Sequence, residues 1–253
     1  MHQDTYREDP RVEADDHGSR EKRARAVRDM FGSIAGRYDF LNHFLSANVD
    51  RYWRRVCVRE VSRRVSVPRP DILDVGCGTA DLSLAFSILG PVVGCDFSHP
   101  MLRIGMTKTA RAAGLHPVRL LEGDALSLPF PEARFDAVVS AFVLRNLADR
   151  RKGLAEMRRV LRPAGVLAVL DFGLPDAPVL GTLYRLYFAR VLPRLGRMIS
   201  GVDGPYRYLP DSVSAFPKPE ELRRLVEDAG LGDVEFRRLT GGVAVLVLGR
   251  VRA

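Results

Sequence analysis

From residue 71 onward, short apolar runs alternate with longer segments whose apolar residues recur at helical spacing. The pattern predicts strands at 72–75, 92–96, 118–122, 135–142 and 166–172. Helices are expected between them at 80–89, 100–113 and 149–161. The strand runs are apolar throughout rather than alternating, as in strands covered on both faces. Strand–helix alternation of this kind argues for a parallel sheet with helices on both sides. Local signals agree: Pro100 suits a first helical turn, Ser98 is placed to cap it, and Arg162-Pro163-Ala164-Gly165 predicts a turn into the fifth strand. A helix from Pro219 to Gly230 follows. Two last strands, 234–239 and 243–249, are joined by Gly241-Gly242, a hairpin signal. The fold class is α/β, a mostly parallel sheet with an antiparallel C-terminal hairpin.

Two regions break the pattern. Residues 1–19 are polar and charged and are expected to be a disordered leader. Helical spacing begins at Ala24, Val27, Met30 and Phe31, and a further helix is expected from about 50 to 65. Residues 20–70 therefore predict an N-terminal helical cap, with the sheet domain at 71–253. Within that domain, residues 173–217 interrupt the alternation. The part from 180 to 195 is rich in Leu, Tyr, Phe and Arg. It would cover a hydrophobic substrate, touch a membrane surface, or form an ordinary buried helix.

Composition narrows the class. The chain has 253 residues, 46% of them hydrophobic, and a formal net charge of +8. That length supports a sizeable core. The positive charge suits an anionic surface, but no aromatic ribonucleoprotein motif or zinc-finger spacing accompanies it, so nucleic acid is not expected. Three widely spaced cysteines argue for a reducing compartment. No cluster of Cys and His suggests a metal. The N-terminus has no signal-peptide pattern, and no apolar run approaches the ~20 residues of a membrane span. A cytoplasmic location is expected.

The candidate chemistry centres on Ile72-Leu73-Asp74-Val75-Gly76-Cys77-Gly78-Thr79-Ala80-Asp81. It is a buried strand, a glycine turn and a helix start. Gly76 and Gly78 let the backbone turn sharply and approach a ligand. A dinucleotide loop has a third glycine where Asp81 stands. A carboxylate there repels a pyrophosphate and suits a cationic ligand. S-adenosylmethionine meets this condition, with a sulfonium and an ammonium and no phosphate. The loop resembles the first motif of the class I S-adenosylmethionine-dependent methyltransferases, a Rossmann-like fold with a seven-stranded sheet. Other strand ends carry matching groups. Asp96 follows Gly78 by 18 residues, where a ribose-binding acid belongs. Asp124-Ala125 follows the third strand, suited to an adenine amino group. The expected cofactor site is Asp74, Gly76, Gly78, Thr79, Asp96, Asp124 and Ala125.

Three further groups of residues carry a narrower resemblance. The first is Met30-Phe31-x-x-Ile34-Ala35-x-Arg37-Tyr38-Asp39-x-x-Asn42, with Leu45-Ser46 and Trp53-Arg54. The second runs from Ala141 to Asn146. The third is Arg207-Tyr208-Leu209-Pro210-x-Ser212 with Phe216-Pro217. Together they resemble the ubiquinone/menaquinone biosynthesis C-methyltransferase family. Val143 stands where that family usually has glycine, which crowds the pocket. Asn48 replaces a frequent glycine and tolerates the same left-handed backbone.

The resemblance implies methyl transfer to a ring carbon of a polyprenyl naphthoquinol, or of the equivalent benzoquinol. It implies catalytic roles for Arg145, Asn146, Tyr38 and Asp39. Arg145 would hold a phenolate or position a water, since arginine is a poor base. The plain alternative for Arg145 is an ion pair with Asp149. A lipid substrate would give the 180–195 segment and the positive charge a purpose, as transient peripheral contact with the inner face of the cell membrane. Oligomeric state stays open, a homo-oligomer included. The competing functions are a small-molecule O- or N-methyltransferase and a nucleotide-binding regulatory module without chemistry.

Overall fold

The computed structural model describes residues 48–112, 116–173, 175, 212–213 and 216–252, together with Arg25, Val27, Arg28, Asp29 and Gly32. The leader, Tyr38, Asp39, the 180–195 segment and the Arg207 to Pro210 motif lie outside these residues.

Helix α1 spans Val49–Ser62. Strand β1 (Ile72–Val75) leads to the short helix α2 (Asp81–Phe86), and β2 (Val92–Asp96) leads to α3 (His99–Arg111). Strand β3 is Val118–Glu122 and β4 is Phe135–Ala141. A 3-10 turn at Leu144–Asn146 precedes α4 (Arg150–Arg159). Strand β5 (Leu161–Phe172), helix α5 (Pro219–Asp228), β6 (Leu231–Leu239) and β7 (Ala244–Val251) follow among the described residues. The seven strands are ordered β3-β2-β1-β4-β5-β7-β6. All pairs from β3 to β5 are parallel, and β7 is antiparallel to both its neighbours.

Strand periodicity divides the core. Leu73, Val138, Leu167 and Val247 face α4 and α5, where Leu154, Met157, Leu222 and Val226 pack on them. Ile72, Val139, Ala168 and Leu246 face the other way, toward α1 and α2. Successive strand residues point to opposite faces, so Asp74 is delivered to the α1–α2 side. Helix α1 belongs to this layer. Its Trp53 is 2% exposed, lies edge-on to Phe172 and donates its indole N–H to the Thr240 hydroxyl at 2.8 Å.

Three local expectations are corrected. Strand β5 starts at Leu161, not Val166, because Leu161 already pairs with Phe135 before the chain bulges and pairing resumes at Ala137 with Val166. The expected turn is that bulge, with Ala164 at φ 61°. Strand β6 starts at Leu231, three residues early, because a second bulge between Gly232 and Glu235 breaks the alternation that marks a strand. Ser98 occupies the N-cap position of α3, but its hydroxyl makes no cap bond. Asn48 does take the left-handed conformation, at φ 62°.

Candidate active site

Strand order reverses between β1 and β4, and ligands of open α/β sheets bind in the crevice that opens there. The glycine loop lies at that point. The amides of Gly76 and Cys77 both donate to the Cys95 carbonyl, at 2.7 and 3.2 Å, which folds the loop back over β2. Gly76 has φ 70°, and a Cβ there would come within 2.3 Å of a Val143 methyl. Glycine is therefore required twice over, by conformation and by the valine that fills the space above it. Val143 thus packs over the loop backbone at Gly76, and it also lines the cavity described next.

A cavity of about 260 Å³ opens from the loop across the ends of β2, β3 and β4. Gly76, Gly78, Asp96, Asp124, Ala125 and Asn146 are on its wall. Asp96 is 7% exposed. Its two oxygens accept from the Gly78 amide at 2.9 Å and the Ser98 amide at 2.8 Å. Burial raises its pKa above the usual carboxylate value, and these amides oppose the rise. The 18-residue spacing to Gly78 is thus a direct hydrogen bond. Spare lone pairs of a carboxylate fixed in this way can accept from a diol. Asp124 is exposed, and its Oδ1 accepts from the Leu126 amide at 2.9 Å. Val27 and Arg28, helical residues near the N-terminus, also reach this wall.

A smaller cavity lies beside the first and shares Gly76, Gly78, Ala141 and Phe142 with it. Arg54, Asp74, Thr79 and Asp81 line it. Asp74 is fully buried. Its Oδ2 accepts from the Ser83 hydroxyl at 2.6 Å, and its Oδ1 has no hydrogen-bond partner among the described residues. Burial pushes the Asp74 carboxyl up to about 7, against the pull of the Ser83 hydroxyl and the Arg54 charge. Asp81 is not the bare acid expected from the loop. Lys108 pairs with it, and an Arg54 nitrogen lies 3.8 Å away. Its charge is already matched, so the acidity available to a ligand comes from Asp74 and Asp96.

The second motif turns at the end of β4. Phe142 has φ 64°, a left-handed conformation costing a bulky L-residue roughly 1–2 kcal/mol. Strain of this kind concentrates at functional sites. Arg145 does not pair with Asp149, which caps α4 instead. Its guanidinium donates to Asp171 Oδ1 at 2.7 Å, its amide donates to Oδ2 at 3.2 Å, and both side chains are buried. The guanidinium also lies 5.0 Å from the Phe172 ring centroid and 5.9 Å from that of Phe142. Arg145 lines neither cavity, whereas Asn146 lines the large one and donates to the Phe142 carbonyl at 3.1 Å.

Two residues went unassigned in the sequence. Asp171 was signalled by an acid ending the apolar run Val166 to Leu170. Arg54 was signalled by its place in the Trp53-Arg54 motif, though without a role, and it pairs with Asp50. The whole arrangement fits S-adenosylmethionine. Asp96 could accept from a ribose diol, Asp124 and Ala125 line the same cavity, and a fully buried carboxylate with an oxygen unpartnered among the described residues suits a cation.

Known proteins agree. The model of the ubiE/COQ5 methyltransferase family matches residues 17–250. A demethylmenaquinone methyltransferase from Thermus thermophilus is 50% identical over 223 residues, covering 87% of this chain and 99% of that protein. Its counterpart in Deinococcus radiodurans is 44% identical, covering 93% and 96%. A ubiquinone/menaquinone biosynthesis C-methyltransferase from Citrifermentans bemidjiense is 40% identical, covering 88% and 95%. Among solved structures, an S-adenosylmethionine-dependent methyltransferase from Thermotoga maritima aligns with a TM-score of 0.59 at 18% identity, over 88% of this chain and 99% of that one. The cyclase SpnF aligns at 0.61 and 17%, over 90% and 95%. Likeness at that identity shows the fold alone, since a cyclase shares it. Matched along nearly its whole length, the chain belongs to the ubiE/COQ5 methyltransferase family, has the class I methyltransferase fold and uses S-adenosylmethionine as methyl donor.

Proposed function

We propose that the protein methylates a ring carbon of demethylmenaquinol, a polyprenyl naphthoquinol, to give menaquinol. The observation that carries this reading is the 50% identity to the Thermus thermophilus demethylmenaquinone methyltransferase over 99% of that protein's length. S-adenosylmethionine, when bound, supplies an electrophilic methyl group. The protein then has two tasks, to hold the donor in line with the acceptor carbon and to make that carbon nucleophilic. Alignment can supply much of the rate. Asp96 would accept from the ribose hydroxyls, with Asp124 and Ala125 at the adenine and Thr79 beside the glycine turn.

The carbon becomes nucleophilic when the neighbouring quinol hydroxyl loses its proton. Asn146, on the wall of the large cavity, would hydrogen-bond the ring oxygen. Arg145, paired with buried Asp171, would act as a positioning residue that holds the turn carrying Asn146. Tyr38 and Asp39 remain our candidates for orienting the ring or relaying the proton. No described helix is long and apolar enough to cross a membrane. We infer that the enzyme works in the cytoplasm and meets its lipid substrate by transient surface contact.

The second reading is methylation of the corresponding benzoquinol, supported by the 40% identity to a relative named for both pathways. Purified protein should be given methyl-labelled donor and each chemically reduced quinol separately. Label is expected in the naphthoquinol product. Label in the benzoquinol only would replace the first reading with the second, and label in neither would remove both.

A further inference from the structure

Helix α1 turns a row of arginines outward. Arg51, Arg55, Arg59 and Arg63 recur at every fourth residue, the spacing that stacks side chains on one helix face, and all are exposed. Like charges so placed destabilise a helix, and little on the protein offsets them. Arg51 and Arg55 have no ion pair among the described residues. Arg59 and Arg63 lie 3.5 and 3.3 Å from Glu60, but that buried carboxylate is shared with Arg64 and Arg237. The rest of this layer exposes no acid either. Helices α1, α2 and α3 lie side by side, since Arg54 is 3.8 Å from Asp81 at the start of α2 and Lys108 of α3 pairs with the same Asp81. Of the acids between Asn48 and Arg111, Asp50, Glu60, Asp74 and Asp96 are buried, and Asp71 and Asp81 are half-buried. On the other side of the sheet, α5 exposes Glu220, Glu221, Glu227 and Asp228.

Apolar exposure follows the same division. Among the described residues the exposed large hydrophobics are Tyr52, Val67, Ile88 and Met106. They stand on α1, just after it, just after α2 and on α3, and none stands on α4 or α5. Arginines beside exposed apolar groups suit an anionic lipid surface, with phosphates for the cations and a headgroup layer for the apolar side chains. Nucleic acid would engage the charges and leave the aliphatic groups without a role. We propose that the outer face of α1, centred on Arg51, Tyr52, Arg55, Arg59 and Arg63, docks the protein on an anionic lipid bilayer. This rests on the reading of a lipid quinol substrate and deepens it by naming the side that meets the membrane. The inner side of α1 carries Trp53 and Arg54, and Arg54 lines the small cavity. A bilayer on the arginine row would lie about one helix diameter, roughly 10 Å, from the site.

The test is co-sedimentation of the full chain with phosphatidylcholine vesicles, with and without phosphatidylglycerol, at physiological ionic strength. Binding is expected to require phosphatidylglycerol and to weaken as salt is added. Arg51→Gln with Arg55→Gln should weaken it about fivefold per arginine, and so about twenty-five-fold for the pair. Arg51→Lys with Arg55→Lys keeps the charge and should keep the binding. Lys152→Gln with Arg158→Gln removes the same charge from the exposed face of α4 and should change binding by less than about twofold. Equal binding to both kinds of vesicle, or an equal loss in the α4 pair, overturns the proposal. So does a glutamine pair that loses affinity for a single-stranded RNA oligonucleotide and keeps its affinity for vesicles. Vesicle binding is read without turnover, which separates the two failures. A protein that docks through this row and methylates no quinol refutes the functional reading alone. One that methylates a detergent-dispersed quinol and docks without the row refutes this proposal alone.

Discussion

At the amino end of the parallel sheet, Asp71 and Asp136 are held by Arg134 and Arg162 at 2.7–3.2 Å, partly open to solvent. The Asp71 amide also donates to Asp136 at 2.8 Å. At the carboxyl end, Asp74, Arg54 and Arg145 are buried, and each has an atom with no hydrogen-bond partner among the described residues. The same residue type thus does different work 3 residues apart, at Asp71 just before β1 and at Asp74 within it. Exposed, mutually matched pairs contribute little and risk little. Buried, half-matched charges cost stability in the free protein. Their natural complement is a ligand.

The largest expected effect comes from breaking the carboxyl end. Arg145→Ala should lower turnover by about a hundredfold or more while leaving donor affinity near wild type. It also leaves Asp171 buried without its cation, at a cost of about 3 kcal/mol or more in urea unfolding. The pair Arg145→Gln with Asp171→Asn removes both charges and keeps a hydrogen bond, so turnover can be measured on a stable protein. Unchanged turnover in that pair would remove Arg145 from the mechanism. A fall in kcat with KM near wild type is the signature expected if Arg145 acts by holding Asn146 in place.

A middle-sized effect is expected from Asp74. Its carboxyl titrates at about 7 in the free protein, and a bound ammonium favours the ionised form. Donor affinity should therefore fall by up to about tenfold per pH unit below 7, with proton release on binding in the same range. Asp74→Asn should abolish this step. For the donor-free fold the sign is reversed. Burial favours the protonated carboxyl, so that contribution to stability is present below the ordinary carboxylate range and lost as pH rises to about 7.

The smallest effect is expected at the amino end. Arg162→Ala should cost under about 1 kcal/mol of stability and leave donor affinity unchanged by calorimetry. A large loss of donor binding there would erase the contrast between the two ends.

How much of this was legible in advance varies by residue. The strands β1 to β4 were readable because parallel strands covered on both faces are continuous apolar runs. The starts of β5 and β6 were not, since each lies beyond a bulge that interrupts the pattern. That Gly76, Gly78 and Asp96 share one cavity wall was legible, because a glycine turn and an acid at the next strand end are local signals. Arg145 was singled out, but not the partner it pairs with. Asp149 lay four residues away, whereas Asp171 is 26 residues on and meets it only through the β4–β5 pairing. The pairing of Asp81 was hidden for the same reason, since Lys108 reaches it from α3.

By itself the sequence determined the βα order, the turn at Gly76 and Gly78, and the family, because these depend on local backbone preference and on motifs contiguous in the chain. The tertiary structure alone decided how the charges pair. It turned Asp81 from an open acid into a matched one, set Arg145 against Asp171 and brought Arg54 from α1 to the side of Asp74. Charge pairing depends on distance and burial, which chain neighbours do not reveal and which only the packed sheet and its helices create.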